Sequence, residues 1–483
     1  GLIGHSRYGG GKGKGTYTKE LKNFDDEETH PAKIYSLIAG KVFGNTYVTM
    51  YGGRVGRNVY GGGNMASVGK GNYASGADDY YPDGYGEKIT GNLWDGGNEN
   101  SQAFLNSGKT TVNVVSGTVG YIDPTDPNVS MKNQLPYGNV IGGSAGEAAP
   151  NIEEDPRYEY SPAFYSGYVN ETDVTIGGYK CIAACTDKYS HAYAVNDMAT
   201  EAELLDGFSE SLVNGKPDPA KWKLVGPTIY ASVYGGGQDG HVRRDTKVTV
   251  LEGEIGMPYD ATNIALLKTD NVNDPQWMHR GNVYGGGSGI TKYQFDFNGN
   301  GKTSTDDNGD GIIEDDEVET STYHGKSVKE EDYSSSSGSV TRFTEVNILG
   351  GVVHRNVYGG GSLGSVGAPD IGQGYAPYKP GQADIDAKPA NGPGRQSMIL
   401  VNIRGTVGTP FDTDKLWKYN PLYGGDVFGA CRGNASLANA YPFGTAIWTR
   451  VNILNGATIM GDVFGGGDAG IVKKNAEVVI GDE

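Results

Sequence analysis

The sequence is poor in cysteine and has no long apolar run. Three cysteines in 483 residues are too few for a disulfide framework. Cys181 and Cys185 are close enough to bridge within a loop or to remain free thiols, and Cys431, at a glycine position of the repeat described below, reads as a small buried residue. No stretch of 18 apolar residues occurs, so no helix is expected to span or insert into a membrane. Basic side chains are outnumbered 40 to 58, for a net charge of −18; such a surface repels nucleic acid and anionic lipid, and neither is an expected partner. The seven histidines form no H-x-H or H-E-x-x-H pair, and no G-x-S-x-G elbow is present, which leaves zinc chemistry and serine-hydrolase chemistry without a motif. Gly9 to Gly15 has the look of a phosphate loop but places Gly15 where Ser or Thr is required.

Apolar residues make up only 36%, below the roughly 45–50% of a globular chain counted with Gly, so any core is thin. What the chain has in quantity is glycine, 79 residues without a G-X-Y period, and 32 tyrosines. This composition argues against both collagen and simple disorder.

Two short patterns alternate along the chain. The first, V-[NT]-[IVM]-x-x-G, begins at Val48, Val112, Val248, Val346 and Val451, with looser copies at Val174, Val401 and Val478. The second, [ND]-V-[YF]-G-G-G, is centred on Val59, Val283, Val357 and Val463, with variants at Val140, Val233 and Val427. Where no insertion intervenes, Val451, Val463, Val472 and Val478 follow in steps of 12, 9 and 6 residues. A period of this size marks a repeat whose units bury their apolar faces only against neighbours. Three short β-branched strands per turn describe one coil of a parallel β-helix. The expected fold is therefore all-β, a parallel β-helix (β-solenoid) of about eight coils with long loop insertions. Val48, Val112, Val174, Val248, Val346, Val401 and Val451 should form one inward ladder. Tyr60, Tyr234, Tyr284, Tyr358, Phe428 and Phe464, with Ile141 on one rung, should form an outward column, either covered by loops or open as a glycan-stacking face. Corner glycines are expected where positive φ or close backbone approach is needed.

A Tyr or Phe before a glycine doublet also resembles kelch β-propellers. A propeller blade needs about 40–50 residues, whereas the motif spacing here runs from 36 (Val427 to Val463) to 93 (Val140 to Val233). Residues 1–41 read as a partial coil with an irregular segment and 42–483 as solenoid. The long insertions fall at two places in the sequence repeat, after the first pattern or after the second. One of them contains a short helical stretch, Thr200 to Phe208, with a capping box at Thr200 and Glu203. Both termini fall inside the repeat and no polar cap is legible, so the expectation is a slice of a longer chain, joined end to end by further copies or by continuation of the same solenoid.

The V-[YF]-G-G-G and V-N-I-x-x-G units resemble Gly-rich repeats of very large secreted or cell-surface proteins of Bacteroidota. That resemblance implies export, an extracellular or cell-surface location and a structural, adhesive or fibre role.

Residues 296 to 317 read DFNGNGKTSTDDNGDGIIEDDE. Asp306, Asn308, Asp310, Gly311 and Glu317 satisfy D-x-[DN]-x-[DN]-G-x5-E, the loop whose oxygens surround Ca²⁺. Asp296, Asn298, Asn300, Gly301 and Asp307 give a second copy ten residues earlier. The backbone carbonyls of Lys302 and Ile312 are the expected seventh-position ligands. These paired loops, within insertion 291–340, resemble those of dockerins and other extracellular EF-hand-like modules, although no strong helix precedes either one.

Three function classes follow: a structural or adhesive stalk, a carbohydrate-binding module and a β-helix polysaccharide lyase or glycoside hydrolase. Candidates for the last two are Arg243, Arg244 and Asp245 on an insertion-free stretch, and Tyr80, Tyr81, Tyr85, Trp94 and Asp95 in one loop. Regular corner glycines favour the stalk, so no enzymatic activity is expected.

Overall fold

The computed structural model describes residues 1–13, 17–22, 29–34, 39–69, 107–120, 137–146, 167–181, 192–193, 212–213, 216–267, 270–271, 275–290, 292–294, 302, 304–305, 316–323, 326–329, 331–333, 337–367, 398–409, 424–436 and 443–481. The chain is a parallel β-helix built from three sheets of eight strands each. The longest strands form the first sheet: Thr46–Met50, Lys109–Val114, Glu171–Ile176, Asp245–Val250, Phe343–Ile348, Met398–Ile403, Trp448–Ile453 and Ala476–Ile480. A linking sheet of two- and three-residue strands runs from Leu2–Ile3 through Glu254–Ile255 to Thr458–Ile459. The third, the aromatic sheet, runs from Arg7–Tyr8 through Val283–Tyr284 to Val463–Phe464.

The expected valine ladder is present in register. Val48, Val112, Val174, Val248, Val346, Val401, Val451 and Val478 each pair directly with the next. All but the last are buried in one continuous apolar cluster that also takes Val59, Val140, Val233, Val283, Val357 and Val427 from the aromatic sheet. Side chains alternate at period two, so a slip of one residue would turn the whole ladder out to solvent.

The linking sheet is not apparent from the two motifs. The 9-residue step from Val463 to Val472 recurs from Val59 to Val68, Val233 to Val242 and Val357 to Val366, yet in most coils this corner contributes only a single bridging residue, as in Val42 to Val68 and Val242 to Val340. The linking sheet comes instead from pairs such as Arg54–Val55, Val352–Val353 and Thr406–Val407. Two residues are too few to show an alternating pattern.

The interior carries a second column that stitches each coil across its core. Thr46, Thr110, Thr172, Thr246, Thr344 and Thr449 donate their hydroxyls to the carbonyls of Gly61, Gly142, Gly235, Gly285, Gly359 and Gly465 at 2.5–2.7 Å. Each acceptor is the first glycine of its triplet. Ile399 takes the threonine's place in one coil, and there the triplet becomes Gly429-Ala430-Cys431 with Ala430 and Cys431 fully buried. Apolar volume replaces the hydroxyl, and burial pushes the Cys431 thiol up to about 12.

Close approach, not positive φ, explains these first glycines. A Cβ on Gly285 would lie 2.0 Å from the Gly359 carbonyl oxygen and 2.9 Å from Val346 Cγ2. Positive φ occurs instead at the closing glycine of the first motif, as at Gly53 (φ 86°) and Gly253 (φ 116°), and where insertions leave the coil. Gly256 (φ 90°) and Gly281 (φ 78°) stand on either side of insertion 257–280, and a Cβ on Gly256 would meet Gly281 Cα at 2.2 Å. The loop thus departs and returns through one pinched point. The two insertion places expected from sequence resolve into four corners. Residues 178–226 lie before the linking strand, 257–280 before the aromatic strand, 290–337 before the corner residue and 368–397 after it. Thr200 to Phe208 lies outside the described residues.

Gly285→Ala should lower stability by about 1–3 kcal/mol through overpacking, and Thr246→Val by about 1–2 kcal/mol by stranding the Gly285 carbonyl. Gly466→Ala, with nothing within 4 Å of its Cβ, should be neutral. Urea midpoints of the three variants check this ordering.

Candidate functional site

The most conspicuous side-chain array lies on the outer face of the aromatic sheet. Because the valine of each Val-Tyr or Val-Phe pair faces the core, the ring beside it faces outward. The rings stack coil on coil: Tyr8 on Tyr60 at 4.6 Å between centroids, Tyr234 on Tyr284 and Tyr284 on Tyr358 at 4.8 Å, and Tyr358 on Phe428 and Phe428 on Phe464 at 5.0 Å. Interplanar angles are 5–9°. Ile141 interrupts the stack. From Tyr60 to Phe428 the column is 0–8% exposed and forms an apolar cluster of its own, whereas Phe464 in the last coil is 43% exposed.

Polar side chains form the rim. Tyr60 donates to Gln238 and accepts from Asn58, and Tyr358 pairs with Asp468 at 3.2 Å and Asn356 at 3.3 Å. Burial raises the hydroxyl pKa of Tyr60, Tyr234 and Tyr358, which stay neutral. Arg355, Arg432 and His279 gather on the same side. Burial first, then the nearby Arg432 and Arg355 charges, hold the His279 imidazole down at about 4.

The residue before each Val-Tyr pair ties successive coils together. Its side-chain oxygen accepts a backbone N–H from the next coil: Asn58 from Asn139, Asn139 from Ser232, Ser232 from Asn282, Asn282 from Asn356, Asn356 from Asp426 and Asp426 from Asp462, at 2.9–3.2 Å. On the outside of the long sheet a second chain of donors runs from Arg450 Nε to Asn452, on to Asn402, to Asn347 and into the Glu345 carboxylate, at 2.7–3.0 Å. Amide chains of this kind polarise one another and strengthen cooperatively.

The basic and acidic residues considered for polysaccharide cleavage are engaged between coils. Arg244 pairs with Glu171 at 2.7 Å, Asp245 with Arg342 at 3.4 Å, and the buried Arg243 lies 5.0 Å from the Tyr168 ring centroid. Tyr80, Tyr81, Tyr85, Trp94 and Asp95 lie outside the described residues, as does Cys185. So do Asp296, Asn298, Asn300, Asp306, Asp307, Asn308, Asp310 and Ile312 of the calcium pattern. Of that set, Lys302 is exposed and Glu317 is buried. The strands around them are antiparallel pairs, Lys292–Gln294 with Glu331–Tyr333 and Thr320–Tyr323 with Lys326–Lys329. Among the described residues of this insertion there is no helix.

No protein-family model matches the chain, and no curated protein or solved structure matches it. The chemistry of the site must therefore be read from its geometry. Stacking a sugar needs a free ring face, and in this column both faces of each inner ring of a run are taken by neighbours. Beside Ile141 the run ends Tyr60 and Tyr234 are buried against it, so a free face is left at the outermost rings, as at Phe464. Coil-to-coil cohesion is the chemistry this array performs.

Tyr284→Ala should cost about 3–5 kcal/mol by opening a cavity between two rings, while Phe464→Ala should cost less than about 1 kcal/mol; denaturant titration separates them. Because the folded-state pKa of His279 is depressed from 6.5 to about 4, its stabilising effect is complete above about pH 6.5 and is lost as pH falls toward 4. His279→Gln should flatten that decline by about 1–3 kcal/mol, measured as unfolding free energy against pH.

Proposed function

We propose that this chain is a structural and adhesive segment of a long extracellular or cell-surface repeat protein, with fibre formation by end-to-end continuation. The observation that carries the reading is that the repeated side chains are spent on coil-to-coil contacts. The valine ladder, the Asn and Asp acceptors and the stacked rings all serve the neighbouring coil, and the threonine stitches close each coil across its own core. The resemblance to Gly-rich surface repeats points the same way. Strand Ala476–Ile480 pairs on one side only and Ile480 is 79% exposed; such an edge is completed by another coil, from a further copy or from a continuation of the solenoid. Glycans would meet such a stalk through its long insertions, since the inner ring faces are occupied. No catalytic step is part of the proposal.

Insertion 291–340 would carry two Ca²⁺ ions on the paired acidic loops. The N–H of Thr305 donates to the Glu317 carbonyl at 2.9 Å, and Ser304 bridges to Val318. These contacts bring together the two ends of the segment that holds Asp306, Asn308, Asp310 and Glu317, as a closed ligand loop requires. Carboxylates crowded this densely repel one another until a cation sits among them.

Two measurements test the proposal. Millimolar Ca²⁺, compared with chelator, should slow cleavage between Asp296 and Glu317 severalfold; equal rates would remove the calcium assignment. Sedimentation over a concentration series, with electron microscopy, should show rods lengthening in multiples of one protomer. A compact particle that stays monomeric at high concentration counts against the stalk.

A further inference from the structure

Arg280 is the one fully buried large cation in the apolar corner where insertion 257–280 rejoins the coil, and its guanidinium is only partly satisfied. It is 2% exposed. The Nη1 group donates to the Tyr230 carbonyl at 3.1 Å, and the backbone N–H donates to the Trp277 carbonyl at 3.0 Å. The Nε and Nη2 groups have no hydrogen-bond partner, and no acidic side chain among the described residues pairs with the guanidinium. The surroundings offer little relief. Tyr230 packs against the apolar cluster of Met257, Leu267 and Trp277, and the pinched pair Gly256 and Gly281 brings the loop backbone tightly onto the coil. Burial pulls the guanidinium pKa down to about 10, which still leaves it charged at neutral pH.

An unpaired buried charge costs several kcal/mol, and buried polar groups in folded proteins ordinarily find a partner. The arrangement of the free donors indicates what that partner is. With Nη1 engaged, Nε and Nη2 make up one complete edge of the planar guanidinium, presenting two parallel N–H bonds. This fork matches two oxygens of a carboxylate or of a tetrahedral oxyanion, and a spherical halide uses it less well.

We propose that the Nε–Nη2 edge of Arg280 is a binding site for one small oxyanion, held between the helical insertion and the coil. The site goes beyond the stalk reading and does not depend on it. With a net charge of −18 the protein's overall field opposes anion entry, so affinity comes from the local fork and from exclusion of water. Occupancy couples to the insertion, because the anion and the Tyr230 carbonyl together satisfy the side chain that joins helix 261–267 and its turn to the coil.

The test is thermal unfolding of the full chain in sodium acetate, sodium sulfate and sodium chloride at constant ionic strength. For the wild type, Tm should rise saturably with acetate or sulfate relative to chloride, by about 1–3 °C per tenfold rise above half-saturation. Arg280→Met should abolish this saturable component, and Arg280→Lys, which keeps the charge but loses the fork, should retain less than half of it. A response to acetate alone assigns a carboxylate ligand, and a response to sulfate a tetrahedral one. An identical anion response in wild type and Arg280→Met would overturn the site. If Arg280→Met fails to fold, wild-type crystals soaked in selenate decide: an anomalous peak within hydrogen-bonding distance of Nε and Nη2 supports the proposal, and its absence after both the selenate soak and an acetate titration without effect rejects it.

Discussion

Everything in this structure depends on how closely successive backbones approach at the first glycine of each triplet. A coil of this size has too few apolar side chains to bury itself, and its stability comes from the coil above and the coil below. That contact requires the triplet backbones to lie almost atom on atom. At Gly61, Gly142, Gly235 and Gly285 a methyl group would intrude to within 2.0–2.2 Å of the next coil's carbonyl oxygen. The valines fill the remaining space, and the threonine hydroxyls satisfy carbonyls that the narrow core would otherwise strand. The low apolar content and the high glycine content are two expressions of this one constraint.

How much of this was legible in the sequence depends on whether a feature repeats as an identity or as a geometry. The valine ladder and the aromatic column repeat as identities, at Val112, Val248 and Val346 or at Tyr234, Tyr284 and Tyr358, and both were legible with their register. The linking sheet was not, because Arg54–Val55, Glu254–Ile255 and Thr406–Val407 share only a β-branched second residue. The threonine column was visible as Thr46, Thr110, Thr172, Thr246 and Thr344, each two residues before a ladder valine. Its role was hidden because period two explains an inward threonine but does not supply its acceptor across the core. The Asn of [ND]-V-[YF] is likewise visible only as part of a motif, and it is the stacking of coils that joins Asn58 to Asn139 and Asn282 to Asn356.

The outward column illustrates the gap between direction and availability. Period two correctly turns the rings away from the valines, yet a ring that faces outward from a coil is not thereby open to solvent. At a 4.8 Å repeat, flat side chains on adjacent strands meet face to face and cover one another, and the residues that close their edges, such as Gln238, Arg432 and Asp468, come from a corner that no local pattern links to them. Arg280 was illegible for a related reason. An arginine at the end of a loop ordinarily projects into water, and nothing near it in sequence announces that Gly281 and Gly256 press it into an apolar corner.

The Asn and Asp acceptors between coils all point the same way. Each oxygen receives an N–H from the coil that follows it in sequence, from Asn58 through Asp426. The two faces of each coil are therefore chemically unlike: one offers backbone donors, and the other a side-chain oxygen that accepts them. The stack inherits an arrow, because a coil turned over would set acceptor against acceptor. Polarity at the level of single hydrogen bonds becomes polarity along the whole column of coils.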